Sequence, residues 1–232
     1  MSLRGAIFVL GFSLPPAAIA FMACGGDTSN NPRLDAGFQR ADAALLDRAR
    51  LDEPYHPEAG CLVTIESPPV TDSPHVAIGT DVTYASNPPS SGPHYPIWAA
   101  FQEFPDPVDR RYYVHDLEHG AIVLLYNCAA LPDGGAAIAD GGDGGTACDA
   151  LREGLRKAAA SIPADPLCAN TPGVRVRYVM TPDPLITGPI AASGWGFTYN
   201  AACVDIPTLI DFANKHYGQG TEPVCANGTT TF

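Results

Sequence analysis

Four of the six histidines in this chain fall in two short segments whose composition suits ligand chemistry. His75 opens the first, which ends in Pro88-Pro89-Ser90-Ser91-Gly92-Pro93-His94-Tyr95. The second reads Val114-His115-Asp116-Leu117-Glu118-His119-Gly120. Neutral imidazole is the commonest protein ligand for transition metals, and residues at i and i+4 share a face of a helical turn. His94, His115 and His119 therefore form a candidate three-imidazole site for copper or zinc, with His75 as the fourth ligand. Prolines around His94 fix φ and lower the entropy lost when a ligand-bearing loop is ordered. Glu118 and Asp116 are suited to orienting imidazole N–H groups. If the metal keeps an open position, either carboxylate becomes the candidate general base of a metal-dependent enzyme.

His115 to His119 also spells H-x-x-E-H, the inverted zinc-protease motif, which needs a continuous helix. Gly120 follows at once and Ala121–Tyr126 reads as a strand, leaving room for one turn, so the protease reading loses its structural context. Three or four imidazoles without a free thiolate suit copper or zinc over iron–sulfur clusters or calcium. Ser90 and Ser91 precede His94, but no Gly-x-Ser-x-Gly is present. Met180 is a possible soft axial ligand and reads better as core, as does Trp195 between two glycines. His56 and His216 lie outside both segments and are expected at the surface. The remaining alternative is a metal-free structural or interaction domain in which the histidines stitch loops together.

The 232-residue chain is 46% hydrophobic and 16% charged, which fits a folded core, and its 23 glycines and 23 prolines point to a loop-rich fold containing β-structure. A net charge of −12 argues against nucleic acid as a partner. Leu62–Ile65 and Asp81–Tyr84 read as short strands, and Ala121–Tyr126 as a strand buried on both faces. Val174–Met180 alternates like a strand. Ile190–Tyr199, interrupted by Gly194-Trp195-Gly196, reads as a second strand or as a strand with a bulge. Asp149 is the expected cap of a helix over Ala150–Ser161. Asp205 caps a last helix with Ile206, Leu209, Ile210, Ala213 and Tyr217 on one face. Residues 129–147 form a Gly/Ala/Asp-rich flexible insertion. The expected fold is a single α+β domain over residues 55–232, with a small, mostly antiparallel sheet, flanking helices and long Gly/Pro-rich loops.

Residues 1–23 read as a signal peptide: Arg4, the apolar Ile7–Leu14, then Ala20-Phe21-Met22-Ala23 before Cys24. This resembles a bacterial lipoprotein signal, with Phe21 and Met22 departing from the usual residues. The expectation is an extracytoplasmic protein of the bacterial envelope, anchored to the membrane by a lipid on Cys24, with plain secretion as the alternative. Residues 24–54 then serve as the tether, with a possible helix from Leu34 to Leu51. Cys61, Cys128, Cys148, Cys168, Cys203 and Cys225 remain, an even six without a CxxC pair. Outside the cytoplasm such cysteines form disulfides. Cys128 with Cys148 would staple the base of the insertion; the other pairings stay open.

Taken together, the Pro88–Tyr95 stretch, the nearby Trp98 and Val114–Gly120 resemble the domain-of-unknown-function 3105 family. Its pattern runs P-P-T-S-G-P-H-Y, then H-x-L-E-H-G, with a later aromatic-glycine segment like Gly194-Trp195-Gly196. The resemblance spans Glu58 to Pro223, with Ser90 in place of the usual threonine. It implies a secreted or membrane-anchored bacterial protein and supports the domain limits and the histidine site. It implies no reaction.

Overall fold

The computed structural model describes residues 61–131 and 146–232. The stretches expected to be a signal peptide and a tether, with Cys24 and His56, and most of the 129–147 insertion lie outside the described residues.

Five strands form one sheet in the order β1-β5-β4-β2-β3: β1 Val63–Glu66, β2 Ile122–Tyr126, β3 Tyr178–Pro182, β4 Ile190–Gly194 and β5 Phe197–Ala201. Only β2 and β3 pair in parallel; the other neighbours are antiparallel. With helices this makes an α+β fold. Every residue of β2 is buried, as expected of an unbroken Ile-Val-Leu-Leu-Tyr run covered on both faces. Side chains alternate between two cores. On one face Leu124, Ile190, Ala192 and Tyr199 pack with Leu151 and Leu155 of helix α2 (Ala147–Ser161) and with Leu209 and Phe212 of helix α3 (Ile206–His216). On the other, Val123, Leu125, Val179 and Ala191 meet Tyr113, Val114 and Leu117 of helix α1 (Arg110–Glu118). The second core is the platform of the histidine segment.

Helix α1 is longer than one turn. The Asp109 side chain accepts the Arg111 N–H at its N-cap, so the helix starts within Arg110-Arg111-Tyr112-Tyr113, ahead of the histidines. It ends where Gly120 takes φ +81°, and a Cβ there would sit 2.8 Å from the Arg177 guanidinium. Asp81–Tyr84 joins no ladder; side chains hold that region instead, with Arg111 donating to the Thr80 carbonyl and Tyr84 Oη to the Pro93 carbonyl. Strand β3 starts at Tyr178 because its register on β2 begins at Ile122. The Gly194-Trp195-Gly196 segment is no bulge. It is the turn of a β4–β5 hairpin, closed by the Gly194–Phe197 pair with Gly196 at φ +74°. Thr146, not Asp149, is the N-cap of α2, and Asp149 is the reciprocal partner in a capping box. His216 is also not a surface residue. It lies 6% exposed on the inner face of α3, stacked on Phe197 at 4.0 Å and near Phe212 at 4.8 Å.

Three disulfides cross-link these elements: Cys61–Cys203, Cys128–Cys148 and Cys168–Cys225. The second is the pair that the loop spacing favours. Among the described residues no helix is long and apolar enough to cross a membrane.

Candidate metal centre

The loop carrying His94 turns at Gly92, whose φ is +116°. A Cβ at Gly92 would press on Thr71 and Tyr84, each at 3.2 Å, so both conformation and space require glycine. The loop then runs beside the His75 segment: Val76 N–H donates to the His94 carbonyl at 2.8 Å, and His94 N–H to that of Pro74 at 3.2 Å. Helix α1 brings His115 and Glu118 to the same place, one turn apart on one face. Four side chains result, His75, His94, His115 and Glu118, each offering one ligand atom, with those atoms all within 4.8 Å of one another.

The rings are set for binding through Nε2. His94 Nδ1 lies 2.9 Å from the Gly92 carbonyl and His115 Nδ1 2.6 Å from that of Tyr95. A carbonyl only accepts, so each Nδ1 carries the hydrogen and each Nε2 the lone pair. Metal-bound histidines depend on the same outer hydrogen bond. His94 Nε2 is 3.1 Å from Glu118 Oε2, yet it is buried and makes no hydrogen bond there. With its hydrogen on Nδ1, Nε2 turns a lone pair to a carboxylate oxygen, and a cation between the two would satisfy both.

The electrostatics agree. Burial holds the His94 ring below the ordinary imidazole range, and it pushes the His115 ring down to about 3. Both are neutral at neutral pH and keep their lone pairs. Burial, reinforced by the nearby Glu222 carboxylate, pushes Glu118 up. A carboxylate desolvated beside the neutral His94 and His115 rings would be stabilised by a cation bound there. Trp98 walls the site with its ring 5.1 Å from His115 and 4.8 Å from His119.

His119 is the C-cap of α1, its ring 4.6 Å from that of His115, and it lies outside the group of four. Its Nδ1 is held 2.8 Å from the Glu222 carbonyl, and its buried Nε2 has no partner among the described residues. Asp116 is fully buried. One carboxyl oxygen accepts the Ala99 N–H at 3.1 Å, the other has no hydrogen-bond partner among the described residues, and burial raises the group well above the carboxylate range. Asp116 thereby ties the Trp98–Ala99 loop to α1. Met180 is a core residue on the far face of the sheet. Ser91 Oγ accepts the Thr71 N–H at 3.1 Å, and Ser90 Oγ lies 3.4 Å from Ser86 Oγ.

Three features were invisible in the motifs. Glu118 reaches the ligand group itself. The segment from Gly218 to Thr229 closes over the end of α1: Gly218 N–H donates to the Gly120 carbonyl at 2.9 Å, Glu222 N–H to that of Glu118 at 3.0 Å, and Thr229 pairs with the backbone on either side of Ala99. Cys168–Cys225 anchors this strap. Beneath it Arg177, 3% exposed, donates to the His119 carbonyl and to Asp165 and lies over the Tyr217 ring.

No curated protein and no solved structure matches the chain. The family model described as protein of unknown function (DUF3105) matches residues 75–229, a span holding all four members of the group, from His75 to Glu118, and the whole strap. With two thirds of its length inside that match, the chain belongs to the DUF3105 family.

Proposed function

We propose that this domain binds one divalent transition-metal ion, zinc or copper(II), through His75, His94, His115 and Glu118. The observation that carries the reading is the convergence of four ligand atoms within 4.8 Å, two of them imidazole nitrogens whose opposite ring nitrogens are tied to backbone carbonyls. Three nitrogens and one carboxylate oxygen form a borderline donor set. It favours zinc or copper(II) over copper(I), which prefers sulfur. His119 stands beside the ion, and its Nε2, without a partner among the described residues, is available to accept a hydrogen bond from water on the metal. That single feature favours a second reading, a metal-dependent enzyme with one coordination position open to water and Glu118 or His119 beside it.

The test is elemental analysis by inductively coupled plasma mass spectrometry, on full-length protein purified without tag or chelator and with its disulfides intact. About one equivalent of zinc or copper is expected, lost in His94→Ala and in His115→Ala while near-ultraviolet circular dichroism stays native. A folded wild-type protein that takes up neither metal would leave an interaction domain as the reading.

We propose further that the domain works outside the cytoplasm, held to the membrane by a lipid on Cys24. The three disulfides support an oxidising compartment. Cys24→Ser should move the protein from the membrane fraction to the soluble one; an unchanged distribution would argue for a different anchor or none.

A further inference from the structure

The four residues of the group are not equivalent. His94, His115 and Glu118 are 0%, 2% and 8% exposed, whereas His75 is exposed. The rings of His94 and His115 are each tied at Nδ1 to a backbone carbonyl. The His75 ring makes no hydrogen bond among the described residues; its contacts are with the His94 ring at 5.1 Å and the His115 ring at 4.8 Å. The carriers differ as well. His115 and Glu118 ride on a helix packed against the sheet, and His94 sits in a buried loop. His75 lies in residues 67–80, which contain no helix or strand and pair only through the bridge at His75–His94. That segment is pinned through its backbone, by the bonds around His94 and by Gly79 N–H donating to Tyr95 Oη at 2.8 Å. The ring can therefore turn away by side-chain rotation with no backbone bond broken. Withdrawing His94 or His115 would break a ring hydrogen bond and disturb packed structure.

We infer that His75 is the exchangeable ligand of the site, and that its coordination position is where an external monodentate donor, an imidazole or a small anion, reaches the metal. This rests on the metal reading above. The fixed remainder, His94, His115 and Glu118, is a two-histidine, one-carboxylate set. That donor combination recurs in catalytic zinc sites, which keep three protein ligands and leave the fourth position to water or substrate. The device needs no change of fold. A ring on the solvent side closes the coordination shell when no donor is present and yields when one arrives. The buried trio holds the ion throughout, so ligand exchange does not release it.

The experiment uses the full-length protein loaded with cobalt(II), a visible-absorbing stand-in for zinc, and titrated with imidazole and with azide. His75→Ala should keep about one equivalent of metal, with affinity lowered no more than about 100-fold, a change of the size seen on loss of a supporting group. His94→Ala and His115→Ala should lose it. In His75→Ala, imidazole should restore a wild-type-like visible spectrum. Azide should bind at a concentration at least about tenfold lower than in wild type, where it must displace the ring. His75→Gln, isosteric enough to keep the segment in place, should behave alike. If wild type loads cobalt and both His75 variants lose it as His94→Ala does, the exchangeable role is overturned and the metal site stands. Variants that load the metal but leave their spectra unchanged by either donor would also overturn it. A wild type that loads no metal would sink both readings.

Discussion

Gly220→Ala is the sharpest test of the strap over helix α1. A Cβ at position 220 would land on the Glu118 carbonyl and the Gly120 nitrogen, far inside van der Waals contact. Both are backbone atoms at the end of a packed helix and cannot step aside, so the strap must lift. Three hydrogen bonds depend on its present course: Gly218 N–H to the Gly120 carbonyl, Glu222 N–H to the Glu118 carbonyl, and His119 Nδ1–H to the Glu222 carbonyl. At about 1 kcal/mol each, their loss costs about 3 kcal/mol. That is at the upper end of what one inserted methyl costs in a packed site. With a urea slope of about 2 kcal/mol per molar, the unfolding midpoint should fall by about 1.5 M. Gly173→Ala is the control. Its φ is +79°, but a Cβ there meets nothing within 4 Å, so only the left-handed backbone is penalised, by about 1 kcal/mol. Zinc affinity should fall at least about tenfold in Gly220→Ala, because Glu118 and His119 lose their backing, and stay unchanged in Gly173→Ala. A Gly220→Ala protein no less stable than Gly173→Ala, with native zinc affinity, would refute the claim that the strap is fitted to the site.

Replacing Cys168 and Cys225 together by alanine opens a 57-residue loop, for which the chain-entropy model gives about 4 kcal/mol. The expected outcome is a lower urea midpoint together with faster hydrogen exchange at Glu222 and Thr229; exchange unchanged there would mean that the strap holds without its anchor. His216 gives a pH signature. Burial lowers its pKa from 6.5 to about 4, so between those values the unfolded chain takes up a proton that the folded one refuses. Its stabilisation is complete above about pH 6.5 and drains away as pH falls toward 4, by about 2 kcal/mol between pH 7 and pH 5. His216→Phe should remove that share of the pH dependence of the urea midpoint, and a variant as acid-sensitive as wild type would exclude His216 as its source.

Much of the site was legible because imidazole is rare and the two motifs concentrate it. His75, His94 and His115 come together as their clustering suggested. The roles within the second motif were harder to read. An i,i+4 histidine pair draws attention to His115 and His119, yet the helix ends at Glu118. His119 leaves it as a cap, held by a carbonyl 103 residues away. No local pattern carries that information. The helix itself was underread because Tyr112, Tyr113 and Val114 lean toward strand, and their packing against Val123 and Leu125 overrides that propensity. The burial of His216 had a signal: Leu209, Phe212, Ala213 and His216 follow the i, i+3, i+4, i+7 spacing of one helix face. The Trp195-Gly196 hairpin had one too, two residues between two runs of strand character.

If the histidine group binds the metal proposed above, the disulfides bear on more than stability, for they decide when the histidines can compete. Before oxidation the chain presents six thiols at Cys61, Cys128, Cys148, Cys168, Cys203 and Cys225 besides Cys24. As thiolates these are stronger donors for zinc and copper than imidazole and carboxylate. Each bridge that closes withdraws two of these competitors, and closure of Cys168–Cys225 also fastens the strap that backs Glu118 and His119. On that reading maturation has an order, sulfur oxidised first and the ion captured second. A chain that met zinc while still reduced would store it on the wrong atoms and block its own cross-linking.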